Sequence, residues 1–152
     1  MAKANPQWRE IANCDALAIF HGPHAYISPG WPNEQNVVPT WNYVAVHVSG
    51  KVHLVEEQSA LLDIVRRYVN VYEAPMPDPW QLGVADADFT VSLLNATVGF
   101  TIEIESIEGK WKLSQNQSDE RRQRVIDGLQ TRPDENRAQI ADLMQATLAG
   151  QE

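Results

Sequence analysis

Apolar and polar positions change period several times along these 152 residues, and each change marks a new element. Asn5 followed by Pro6 predicts a helical turn or two over residues 5–12, with Asn5 as N-cap and Pro6 in the first helical position. Ala16, Leu17, Ala18, Ile19 and Phe20 form a continuous apolar run, the pattern of a short strand buried on both faces. Gly22–Pro23 and Pro29–Gly30 then bracket a second short strand over His24–Ser28. Residues 29–39 hold three prolines, one glycine and two asparagines with no period, which predicts a loop; its length points to a functional one.

Residues 41–48 alternate, with Val44, Val46 and Val48 facing one way and Tyr43, Ala45 and His47 the other. Ser49–Gly50 predicts a hairpin turn, after which Lys51–Glu56 returns as a strand. Leu61, Ile64, Val65, Tyr68 and Tyr72 make one apolar stripe on a helix over about 57–72, stopped by Pro75, Pro77 and Pro79. A short helix is expected over 87–95. Val98, Phe100, Ile102 and Ile104 alternate with polar positions, a strand with one face in the core and one in water. Ser118 or Asp119 can cap a helix burying Val125, Ile126 and Leu129. Asp134 can cap a last helix with Ile140, Leu143, Met144 and Leu148 on one side, ended by Gly150. The sum is an α+β arrangement, mainly β, dominated by an antiparallel sheet or barrel.

The length suits one domain with its own core, residues 1–152. Hydrophobic content is 43% and charged content 21%, ordinary for a globular chain. No apolar run approaches the roughly 18 residues of a membrane span. Met1–Pro6 has no apolar signal-peptide core, so a cytoplasmic protein is expected. The lone Cys14 cannot form an internal disulfide, and reads as a small half-buried residue or a redox thiol. Net charge is −8, which opposes contact with nucleic-acid phosphates. The one basic cluster, Arg121, Arg122 and Arg124, lies among Asp119, Glu120 and Asp127 and reads as a solvated helix face. No helix-turn-helix, zinc-finger or basic-arm pattern occurs, so direct nucleic-acid binding is not expected.

Several clusters carry chemistry. His21, Tyr26, Ser28 and the segment Thr40, Trp41, Asn42, Tyr43 put aromatic rings, hydroxyls, an amide and an imidazole around proline-fixed bends, as a flat-ligand site would. Trp41 offers a stacking face and Asn42 both a donor and an acceptor; the same segment also reads as an aromatic plug at a subunit interface. Lys110 to Asn116 supplies two ammonium groups, an indole, a hydroxyl and two amides within seven residues. Lys112, Ser114, Gln115 and Asn116 suit a phosphate or a heterocycle edge, or else form a strand edge followed by an N-cap. His47 and His53 flank the expected turn and could meet across it, but no carboxylate or cysteine nearby completes a metal ligand set. No G-x-G-x-x-G or P-loop pattern occurs, and no nucleophile-elbow glycines accompany the Ser, His and Asp residues.

The segments His21–Pro29, Val38–Tyr43 and Glu108–Asn116, in that order, resemble the signature of the PaiB-like FMN-binding negative transcriptional regulator family. The resemblance runs from Ala2–Trp8 to about Leu129. It implies an FMN-binding split β-barrel of Greek-key type with flanking helices, related to the pyridoxamine-phosphate oxidases. Residues 1–116 would form the barrel portion and 117–152 the C-terminal helices. It implies a homodimer with FMN in grooves at the subunit interface, and Lys3 as a basic contact to the phosphate. Thr40–Tyr43 and Lys112–Asn116 would lie near the flavin or the dimer contact. His21 and His24 could hydrogen-bond the flavin ring or its phosphate, or brace a turn. Family members carry further strands before the segment matching Ala2–Trp8, so the resemblance also implies that this chain lacks the family's N-terminal segment. The expected function is negative transcriptional regulation through a partner, without direct DNA contact. A flavin-dependent oxidoreductase acting on a small molecule, with His21 as a weak candidate acid or base, is the alternative. Haem handling through His47 or His53 is a third reading.

Overall fold

The computed structural model describes residues 1–150 apart from Asn33 and Pro133. The chain is α+β, with five α-helices and one three-stranded antiparallel sheet in the order β1-β2-β3 among the described residues. The elements are α1 (Gln7–Ile11), β1 (Asp15–Ile27), β2 (Thr40–Val55), α2 (Gln58–Glu73), α3 (Ala87–Asn95), β3 (Gly99–Lys112), α4 (Asp119–Gln130) and α5 (Glu135–Leu148). Leu82–Val84 forms a 3₁₀ turn.

The helices sit where periodicity and caps put them. The exception is α1, where Pro6, not Asn5, holds the cap position and no side chain caps the helix, although Asn5 Oδ1 accepts from Gln7 N at 3.1 Å. Glu57 caps α2 by accepting from Ser59 N and Ala60 N, and α2 ends before the prolines. Asp86 caps α3, Ser118 caps α4 through Arg121 N, and Asp134 caps α5 through Arg137 N at 2.9 Å. Each cap satisfies amide donors that the first helical turn leaves free. Gly150, with φ +71°, follows α5 in the left-handed region that favours glycine.

The strands are longer than the local pattern predicts, and three expectations are corrected. First, Gly22–Pro23 does not divide two strands, because β1 runs straight through it. β1 is an outer strand of the sheet, the place where a proline within a strand is tolerated. Second, Ala16–Phe20 is not buried on both faces: Leu17 is 55% and Phe20 61% exposed. Third, Ser49–Gly50 is not a hairpin, since β2 continues through it to Val55. The glycine serves a close approach instead. A Cβ on Gly50 would lie 2.0 Å from the Glu103 carbonyl oxygen of β3. His47 and His53 therefore lie on one strand and do not face each other across a turn. His53 Nε2 sits 3.0 Å from Glu103 Oε2.

The chain divides into two compact units. One is Met1–Leu17 with Ser49–Ser106, the other Ala18–Val48 with Ile107–Glu152. In the first, the Met1 amino group donates to Val98 O at 2.7 Å, and Ala2 bridges Thr97. Its buried apolar side chains are Val52, Leu61, Leu94 and Val98. Of the predicted α2 stripe only Leu61 is buried, while Ile64, Tyr68 and Tyr72 face solvent. The expected core face of β3 also stays open at Phe100 and Ile104.

The second unit holds the larger core. α4 and α5 pack together through Val125, Ile126, Leu129, Ile140 and Met144, against Ala25, Ile27 and Leu113. Trp31 lies on Gly128, where a Cβ would meet the indole at 2.4 Å. Burying each large side chain contributes about 1.5–3 kcal/mol. This packing positions the loop over residues 28–39 and the end of β3.

Candidate functional site

The second unit carries two neighbouring concavities, and the pleat of β2 decides which residue serves which. Side chains alternate across a strand, so Thr40 and Asn42 point to one face while Trp41 and Tyr43 point to the other. Thr40 and Asn42 line a cavity of about 380 Å³ under the loop. Trp41 and Tyr43 line a more open hollow of about 300 Å³, with His21, His24 and His47.

The loop cavity collects Ser28, Thr40, Asn42, Lys112, Ser114, Gln115 and Asn116 of the residues expected from sequence. Their polar groups already hold one another. Lys112 Nζ donates to Thr40 Oγ1 and to the Trp41 carbonyl oxygen, both at 2.6 Å. Asn42 is fully buried; its Nδ2 donates to Ser114 Oγ at 3.1 Å, and Ser114 Oγ lies 3.1 Å from Asn42 Oδ1. Leu113 N donates to Gln115 Oε1, and Gln115 Nε2 donates to the Trp111 carbonyl. Ser114 and Asn36, both lining the cavity, have positive φ near 62°. Such backbone is costly for a residue with a Cβ and is held by its surroundings.

Arg121 and Arg122, expected on a solvated helix face, line the cavity as well. Arg122 is buried at 6% exposure. Its Nη2 donates to Thr147 Oγ1, its Nη1 lies 3.6 Å from Asp119 Oδ1, and its Nε has no hydrogen-bond partner among the described residues. The spacing held the signal. Arg122, Val125, Ile126 and Leu129 stand at i, i+3, i+4 and i+7, one helix face. Arg124 fits the original reading, since it pairs with Glu120 and Glu34.

The aromatic hollow collects His21, Trp41 and Tyr43. Trp41 is 51% exposed, a degree that Trp111 at 50% shares. Tyr26 meets it edge-on with centroids 5.9 Å apart, and His24 lies 6.0 Å away on a tilt. Tyr43 and His47 also border a second hollow with Glu108, Gly109 and Lys110. Lys3 is placed in the other compact unit, in a recess with Trp8, Leu54 and Leu61; its carbonyl accepts from Trp8 Nε1 at 3.0 Å. No group of three metal-ligating side chains occurs among the described residues.

An open indole with imidazole and phenol groups around it offers a flat face and hydrogen-bonding groups. The profile of the family described as "Putative FMN-binding domain" matches residues 1–106. The chain belongs to this FMN-binding domain family. It is 39% identical to the protease synthase and sporulation protein PAI 2 of Bacillus subtilis over 99% of its own length and 72% of that protein's. It is 31% identical to an uncharacterized protein of Aspergillus fumigatus, over 76% of this chain and 52% of the other. A further uncharacterized protein, from Emericella nidulans, is 27% identical over 86% of this chain and 64% of its own. The chain thus spans only about half to two thirds of the fungal relatives.

Proposed function

We propose that the protein is an FMN-binding homodimeric regulator of the PaiB type, built on a split β-barrel with C-terminal helices and acting in negative transcriptional regulation without touching DNA itself. The observation that carries the flavin assignment is Trp41. It is a half-exposed indole on the sheet, flanked by Tyr26 and His24 and bordered by His21 and Tyr43. Among the residues expected to bind FMN, these can take the ring. The loop cavity, by contrast, has no aromatic side chain in its lining among the described residues. Lys110 and His47, in the adjoining hollow, are candidates to hold the phosphate, as is Lys112, whose Nζ lies 6.0 Å from the Tyr43 ring centroid. Bound FMN supplies one- or two-electron redox chemistry; the protein orients the ring and sets its hydrogen bonds.

Regulation at second hand rests on charge and on the name of the bacterial relative. The net charge is −8, Arg122 is buried, and Arg121 and Arg124 are paired with Glu34 and Glu120. That relative's name places it in protease synthesis and sporulation. Dimerisation is supported by the exposed apolar side chains on the strands, Leu17, Ile19, Phe20, Phe100 and Ile104 among them. The visible spectrum of the purified chain after FMN loading and desalting tests the reading. Retained flavin at about one per subunit is expected. Trp41→Ala should weaken retention about tenfold, the scale of one aromatic stacking contact. Loss of flavin from the parent chain, or tight specific DNA binding in a gel shift, overturns it.

A further inference from the structure

We propose that the loop cavity is a second ligand site, separate from the flavin face, which takes a small phosphorylated metabolite. In a chain with 20 acidic and 12 basic side chains, this cavity is lined by three cations, Lys112, Arg121 and Arg122, and by no carboxylate among the described residues. Such clustering concentrates positive potential in a walled space, where an anion gains most.

The balance of charges sharpens the point. Arg121 is answered by Glu34 at 3.4 Å. Arg122 is answered only at 3.6 Å by the exposed Asp119. Lys112 has no carboxylate partner among the described residues; it spends two of its three N–H donors on Thr40 and Trp41. Arg122 Nε is a buried donor with nothing to donate to, an arrangement that costs stability unless a ligand or water completes it. A phosphoryl group is the fitting partner. It carries up to two charges and three acceptor oxygens, and guanidinium and ammonium groups bind it well. Ile27, Val37, Val38 and Val125 line the rest of the cavity, so the group attached to the phosphate is small and partly apolar. The absence of a lining aromatic ring argues against a flavin as the occupant. The site goes beyond the flavin reading, and either can fail alone.

The test is a titration of ¹⁵N-labelled protein with inorganic phosphate, with and without bound FMN, following backbone amides and arginine side-chain Nε–H signals. Saturable shifts of the Ser114–Gln117 amides and of Arg122 Nε–H are expected, unchanged when FMN is already present. Lys112→Gln should weaken phosphate about tenfold, as loss of one charged hydrogen bond does. Arg122→Lys should remove the Nε–H signal while the fold, seen in the remaining amides, persists. Trp41→Ala should weaken FMN about tenfold and leave phosphate binding unchanged. Shifts that potassium chloride of equal ionic strength reproduces overturn the proposal. So does mutual displacement of phosphate and FMN, which would make the cavity the flavin's own.

Discussion

Replacing Gly50 with alanine would set a Cβ 2.0 Å from the Glu103 carbonyl oxygen and 3.0 Å from an Ile102 methyl. Backbone cannot yield as a flexible side chain can, so Gly50→Ala should cost about 1–3 kcal/mol in chemical denaturation. Gly83→Ala, with nothing within 4 Å, should be neutral or slightly stabilising in the same experiment. Glu57 gives a prediction of a different kind. The Ser59 hydroxyl, then the Ala60 and Ser59 amides, hold its carboxyl below the ordinary value of 4.5. A carboxyl depressed by folding stabilises fully above its unfolded value and loses that contribution as pH falls through the folded one. Helix content followed by circular dichroism should therefore fall at pH below 4.5, and Glu57→Gln should flatten that part of the curve. Arg122 shows how a residue can be legible and still misread. Its spacing put it on the buried face of α4, but its charged neighbours suggested solvent.

Among the elements, α4 and α5 carry the tightest packing. Leu129 is fully buried between them, and Leu129→Ala should cost about 2–5 kcal/mol with a matching drop in melting temperature. Asp134→Ala, which removes the α5 cap, should cost about 1 kcal/mol. If the two losses add, the two positions act independently within the shared core; a departure from additivity would report coupling between them. The helices were readable because their signals are local: an apolar stripe, a cap and a proline or glycine stop lie within one segment. The strands were harder. Ser49–Gly50 looks like a turn until Glu103, far along the chain, is seen to need the space. Gly22–Pro23 looks like a break until β1 is known to be an outer strand. The candidate binding residues are chosen by type, but their division into two faces depends on the register of β2. That register was readable from the alternation over residues 41–48, though the contents of each face were not.

At the scale of the whole molecule, the apolar residues left on the strands are the feature to account for. Phe100 and Ile104 lie on one face of β3, 41% and 56% exposed. On the homodimer reading they pack against a second copy, and Ile104→Glu should convert a dimer to a monomer in sedimentation velocity. An unchanged monomer in both proteins would remove this face as the contact. Pro23 bears on the same question from the edge. A strand bordering a sheet offers its unpaired amides to any passing chain; a proline in such a strand blunts the edge, and the neighbouring His24 amide is already directed to Asn136 Oδ1 at 3.4 Å. β1 can thus present its faces to a partner while its rim is a poor template for strand-by-strand stacking. Evolution of a sticky surface is tolerable when the direction of sticking is restricted. Pro23→Val should accordingly leave the fold in place and speed the growth of fibrillar aggregates on prolonged incubation, visible as thioflavin fluorescence.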